Sequence, residues 1–290
     1  MRREAGYFLD AGQQIADRDI SNNSDESGLL NAMPRLLHLD DEGRIDLLRK
    51  ALRADSPPDA FSLSLAERRT LEGFLLTILP DSQKDFDAGL RRIWSHPAVR
   101  GELLELLGVL DDRAEHRTFP LINELPIDQQ PFIDVPLSVH ARYTRDEVLA
   151  AIGLSSVAKR YMHREGPLWH APTNTDYFFV TIEKNEKYYS PSTRYRDYAI
   201  SPDVFHWESQ SQTREGSPTG QRYINHEQRG SHVMLFVRPR NKDGNRTMAF
   251  TFIGPATYIE HTAERPMAIL WKLHRAMPLD FFNRTKVAAG

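Results

Sequence analysis

The residues best able to do chemistry are four histidines, His206, His226, His232 and His261, with Glu208, Glu227 and Glu260 beside them. A metal-dependent nuclease draws on such a set, and His206, Glu208, His226 and Glu227 are the ligands it would use. None of them stands four residues apart on a predicted helix or in a recognised ligand spacing. No two carboxylates can be paired from the sequence for acid–base work. The phosphate loop GxxxxGK[ST], a GxGxxG turn, the GxSxG elbow and HExxH are all missing. Cysteine is absent as well, which removes thiol chemistry and Cys-based zinc sites. The expectation is a chain with no catalytic residue, no metal and no cofactor of its own.

The histidines border a different kind of segment, HWESQSQTREGSPTGQRYINHEQRG at 206–230. Ordering so polar a stretch costs entropy that a bound ligand can offset. A nucleobase taken out of its stack offers two flat faces for aromatic rings and an edge of donors and acceptors for amides and hydroxyls. Trp207, Tyr198 and Tyr223 are the candidate faces; Ser209, Gln210 and Gln212 are the candidate edge readers. Gly220, with Gly216 and the Ser217-Pro218-Thr219 run, shapes a predicted loop that brings backbone near a ligand. Arg214 and Arg222 lie within the segment, and Arg238, Arg240 and Lys242 follow it. Arg142, Arg145 and Arg160, with Lys159 and Arg164, lie upstream, where DNA phosphates would be met. Tyr188 and Tyr189 add a loop pair of aromatics. Against this, Trp207 shares a strand face with Phe205, a pattern typical of a core.

Two regions of different texture must position these residues. Between residues 1 and 135 there are 16 Lys+Arg against 25 Asp+Glu; between 136 and 290 there are 21 against 15. The net charges of −9 and +6 point the second region, not the first, toward a polyanion. The first region is helical. Ser64-x-x-Glu67 is a capping box ahead of Leu71, Phe74, Leu75 and Ile78 on one face. Similar stripes run through 41–54, 84–96 and 97–112, while 19–28 reads as a polar loop. A proline-rich crossing at 118–137 follows. Thr144-x-x-Glu147 then caps a short helix that Gly153 ends. Beyond it lie DYFFVTIEK, RDYAI, VFHWES, HVMLFVRPR, MAFTFIG, ATYIEH and MAILWKLHR, short β-type segments that suit a small, strongly curved sheet or barrel. The fold class is α+β, with a helical bundle at 1–135 and a β region with short helices at 136–290. With no signal peptide and no apolar run long enough to span a membrane, a cytoplasmic location is expected.

MRREAG, PLSVHARYTRDEVLAAIG, FHWESQSQTREGSPTGQRYINHEQRGSHVMLFVR and RPMAILWKLHRAMPLDFFNRTKVAAG together resemble one family. It is the C-terminal domain of unknown function that follows superfamily 2 helicase domains, as in the phospholipase-D-nuclease/helicase enzymes of type IV, modified-cytosine-dependent restriction. The resemblance covers essentially the whole chain. It implies a recognition module of a larger restriction enzyme in bacterial defence, with helicase and nuclease domains as partners in the parent protein. Residues 1–135 become a linker or docking domain. Residues 136–290 become a barrel similar to SRA and PUA-like readers, holding 5-methyl- or 5-hydroxymethylcytosine of double-stranded DNA by base flipping. A metal-dependent nuclease domain and a protein-interaction adaptor of the helicase are the alternatives.

Overall fold

Three of the N-terminal helices start where a side chain accepts an otherwise unpaired backbone N–H. In the computed structural model, which describes residues 24–286 apart from 80, 114–116, 126–129 and 184–196, the helices of this region are α1 (Ser24–Ala32), α2 (Glu42–Arg53), α3 (Leu65–Ile78), α4 (Phe86–Trp94) and α5 (Pro97–Asp112). Asp41 caps α2, Asp85 caps α4, and Ser64 with Glu67 forms the reciprocal capping box of α3. Pro97 opens α5, where its missing N–H loses nothing. The stripes read from the sequence bury Leu71, Phe74, Leu75, Ile78, Leu90 and Ile93 in one shared core. Residues 24–28 differ from expectation: they begin a helix. Asp25 takes the Arg92 guanidinium (Nε–Oδ1 3.1 Å) and Leu29 is fully buried, so tertiary contacts override a polar local sequence.

The β region forms an eight-stranded sheet: β1 (Arg142–Tyr143), β2 (Pro167–His170), β3 (Thr175–Glu183), β4 (Tyr198–Ser201), β5 (Val204–Glu208), β6 (His232–Arg240), β7 (Phe250–Thr262) and β8 (Ala268–Leu273). The order is β2-β3-β6-β7-β8-β5-β4, with β1 also on β7. β3 and β6 run parallel; the other pairs are antiparallel. Among the described residues the barrel expected from the sequence is an open sheet instead, since its path ends at β2 and β4 without a pair between them. It is nevertheless tightly curled. Phe178 of β3 stacks on Trp207 of β5 at 4.2 Å although β6, β7 and β8 lie between those strands.

The curl comes from β7. The sequence suggested two strands split at Gly254-Pro255, but the chain runs through as one strand of 13 residues with register shifts at Phe252/Gly254 and Tyr258/Glu260. Gly254 sits at φ +109°, a conformation that only glycine adopts cheaply, and the resulting bulges bend the strand. One sheet face then packs Tyr177, Phe179, Phe236, Phe250 and Phe252 against α6 (Arg145–Ala151). The other encloses Phe178, Phe205, Trp207, Tyr223 and Trp271. Two further short helices, α7 (Pro218–Ile224) and α8 (Leu279–Thr285), cover this second core. Among the described residues no helix is long and apolar enough to cross a membrane.

α6 ties the helices to the sheet. Glu147, buried in its first turn, accepts from Thr144 N (2.6 Å) and His38 Nε2 (2.6 Å), with Arg44 at 3.5 Å. Burial alone would raise this carboxyl; His38, Arg44 and the cap outweigh it and hold it at about 2. Because the folded value lies below the ordinary 4.5, the stabilisation is complete above about pH 4.5 and disappears as pH falls toward about 2. Glu147→Gln leaves the Arg44 charge buried with less compensation and is expected to cost about 3 kcal/mol. Denaturant titration at pH 7 and pH 3.5 checks both: the gap between variant and parent should narrow at the lower pH.

Candidate nucleic-acid interface

A cleft of about 710 Å³ opens where β2 stops pairing with β3. The ladder between them runs from Pro167–Phe178 to His170–Thr175, so Val180 to Glu183 have no β2 neighbour on that edge. Both faces of β3 are reached there. Phe179 and Thr181 line the cleft from the α6 side, while Val180 meets it beside Trp207 from the other.

The α6 side is basic. Arg145, the first residue of α6, lies 4.5 Å over the Phe179 ring. It also donates to His163 O (2.9 Å) and Glu165 O (2.7 Å), fixing the loop that carries His163 and Arg164 into the cleft. Arg238, opposite Thr181 in register, donates to Thr181 Oγ1 (2.9 Å) and Met248 O (3.0 Å) and lies 4.2 Å over Phe250. Burial and the neighbouring Arg145 hold the His163 ring toward its neutral form. The β5 side is acidic and amidic: Asp197, Trp207, Glu208 and Gln210 line it. Asp197 Oδ1 accepts from Glu208 N (2.9 Å), and Gln210 Nε2 donates to Glu165 (3.0 Å).

The base-reading candidates divide. Trp207 and Gln210 reach the cleft. Trp207 has one face on Phe178 and its edge toward Tyr223, and only 5% of it is exposed, so it presents a rim and not an open platform. Tyr223 is buried behind it, between Phe178 and Trp207. Ser209 is fully buried, and its hydroxyl accepts from Met267 N (2.9 Å). Tyr198 stacks on His206 at 4.5 Å outside the cleft lining, and Gln212 is exposed. The loop expected around Gly220 is largely α7, capped by Ser217 with Pro218 in its first turn. A Pro after a good N-cap residue was a legible helix start.

The cations divide as well. Arg145 and Arg238 line the cleft with Arg164. Arg222 is spent inside the fold, holding buried Asp176 by two hydrogen bonds (2.7 and 2.8 Å) under Trp169. Arg160 donates to Leu76 O (3.0 Å) and Leu79 O (2.9 Å) of the helical region, and Arg142 pairs with Asp40 (2.8 Å). Arg240 pairs with Asp243 (2.8 Å); Arg214 and Lys242 are exposed. Tyr188 and Tyr189 lie outside the described residues. The metal-nuclease set does not converge: His226 is buried with Nε2 accepting from Tyr258 N (3.0 Å), and His206 lies against Tyr198. Among the described residues no group of three or more His or carboxylates could hold a metal. Asp197, His163, Phe179 and Phe250 were missed by sequence reasoning. A carboxylate directly before a short strand looks like a turn residue, and the two phenylalanines carry no mark that separates a cleft wall from a core.

Residues 137–285 match the family model described as a domain of unknown function, DUF3427. The chain belongs to that family. The DUF3427 span takes in the whole eight-stranded sheet, α6 and every residue lining the cleft. No curated protein matches the chain. Among solved structures it is similar to "The 5-Hydroxymethylcytosine-Specific Restriction Enzyme AbaSI" at 16% identity, over 64% of this chain and 54% of that one, with a TM-score of 0.31. The chain thus spans about half the length of that structure, and similarity of this degree fixes neither fold nor function.

Gly220 has a packing role that can be checked. A Cβ there would stand 2.0 Å from Arg214 O, a backbone atom that cannot swing aside. Gly220→Ala is expected to destabilise the fold by about 1–3 kcal/mol, read as a lower midpoint in thermal or urea unfolding.

Proposed function

We propose that the chain is the recognition module of a modification-dependent restriction helicase, without catalysis of its own, and that its cleft receives an extruded modified cytosine. One observation carries the reading: two amides, two carboxylates, an indole rim and three guanidiniums line a single cleft beside β3. The volume suits a nucleotide, since small-molecule sites span roughly 300–1,000 Å³. Carboxylates accept from the exocyclic amino group that distinguishes cytosine from thymine, which gives Asp197 and Glu208 a role. Gln210 supplies both a donor and an acceptor for the rest of the edge. Arg145 and Arg238 offer charge to a phosphate, and their planes over Phe179 and Phe250 resemble the stacked surfaces that hold splayed bases.

The modified base and the parent enzyme come from the sequence resemblance. On that reading the curled sheet serves double-stranded DNA as SRA and PUA-like readers do, and the acidic helical region at 1–135 docks against the helicase and nuclease domains. Sensing one methyl group is worth roughly 0.8 kcal/mol, so intrinsic preference should be several-fold.

Titrating the chain with matched duplexes containing cytosine, 5-methylcytosine or 5-hydroxymethylcytosine tests this directly. One modified duplex should bind several-fold to about tenfold tighter, with affinity falling as salt rises. Gln210→Ala should narrow that preference while leaving the unfolding midpoint near that of the parent. Equal affinity for all three duplexes would sink the proposal.

A further inference from the structure

One β-element outside the main sheet borders the cleft. Beyond β6, Lys242–Asp243 and Arg246–Thr247 pair as an antiparallel two-stranded ribbon. Gly244 and Asn245 make its two-residue turn, with Gly244 at φ +59°, where a hairpin turn of the primed type needs glycine. The root is fixed: Met248 N donates to Asn241 O (3.0 Å), and Met248 O accepts from Arg238 (3.0 Å). Asn241, Thr247 and Met248 at that root line the cleft. Residues 242–247 are all exposed, so the ribbon is presented to solvent and not to a core.

Charge is the second observation. Arg240, Lys242 and Arg246 stand against one carboxylate, Asp243, which pairs with Arg240 (2.8 Å). Lys242 and Arg246 form no ion pair among the described residues. Side chains alternate along a strand, so Lys242 shares one face of the ribbon with Thr247, and Arg246 shares the other with Asp243. Each face thus carries an exposed cation that no neighbour neutralises in full.

We infer that this ribbon is a contact with duplex DNA separate from the cleft: it enters the major groove beside the extruded base, and Lys242 and Arg246 meet phosphates of the two strands that wall the groove. A major groove about 12 Å wide admits a two-stranded ribbon, whereas a minor groove of about 6 Å does not. Phosphates are the partner that fits, because they repeat on both sides of a groove as the cations do on both faces of the ribbon. The inference rests on the base-reading role proposed above and deepens it. The cleft discriminates, and the ribbon holds the duplex in place without reading the modification.

Fluorescence anisotropy of the full chain with labelled duplexes at several salt concentrations tests this. The double variant Lys242→Ala, Arg246→Ala should weaken binding of modified and unmodified duplexes alike, by about tenfold at low salt, and should flatten the slope of log affinity against log salt by about 2. Its unfolding midpoint and its preference among the duplexes should match the parent. Lys50→Ala with Arg53→Ala removes the same charge from the exposed last turn of α2 and should change neither affinity nor slope. A single strand of the same sequence, which has no groove, should lose less than about twofold on the Lys242 and Arg246 change. Equal losses from the two double variants, equal losses on duplex and single strand, or an unchanged salt slope overturns the inference. Discrimination among duplexes that is unaccompanied by any effect of the ribbon variant removes the ribbon and leaves base reading intact. A ribbon-dependent slope without discrimination does the reverse.

Discussion

A buried carboxylate governs the architecture. Glu147 closes the capping box of α6, receives His38 and approaches Arg44, and so joins two regions of opposite net charge at one point. Buried ion pairs seldom add much net stability, because desolvation offsets the attraction. Their value lies in register: once Glu147 is seated, α6 has one position, and Arg145 at its start has one direction. The same junction is secured nearby. Glu72 of α3 accepts from Val157 N at 2.7 Å, and Arg160 reaches the last carbonyls of α3. The loop that delivers His163 and Arg164 to the cleft is therefore anchored to the helices at one end and to Arg145 at the other. The helical region is part of how the cleft is shaped, whatever else it touches.

The second constraint is curvature. An ordinary twisted sheet of eight strands would leave β3 and β5 far apart. Two bulges in β7, one at the positive-φ Gly254, fold the sheet until Phe178 meets Trp207. The same curl that completes the second core brings Glu208 of β5, and Asp197 just before β4, to the cleft that β3 also lines. Because β2 is only four residues long, Val180 to Glu183 of β3 run on past its ladder.

Much of this was legible in the sequence, and the reasons are local. Ser64-x-x-Glu67 and Thr144-x-x-Glu147 both form their capping boxes, because a cap is satisfied within four residues. Apolar stripes at helical spacing found the bundle core for the same reason. The readings that failed required knowledge of distant partners. Residues 24–28 are helical because Arg92 awaits Asp25, 67 positions away. Arg222 looked like a phosphate contact, but its partner is Asp176, buried on β3. The warning that Phe205 shares a face with Trp207 was sound: most of the indole is core, and only its rim belongs to the cleft. Barrel closure could not be read at all, since it depends on whether two edge strands meet.

The mixed charge of the cleft bears on what kind of binding it supports. A surface built for non-specific DNA affinity accumulates lysine and arginine and excludes carboxylates. Here Asp197 and Glu208 face the same space as Arg145, Arg164 and Arg238. Carboxylates repel a phosphodiester backbone, so they weaken binding unless a donor group meets them. Carboxylates kept beside arginines weaken the pull on any polyanion and leave room for discrimination between ligands. On the base-reading role proposed above, such a lining would favour selection over grip, and a strong hold on DNA would come from surfaces outside the cleft.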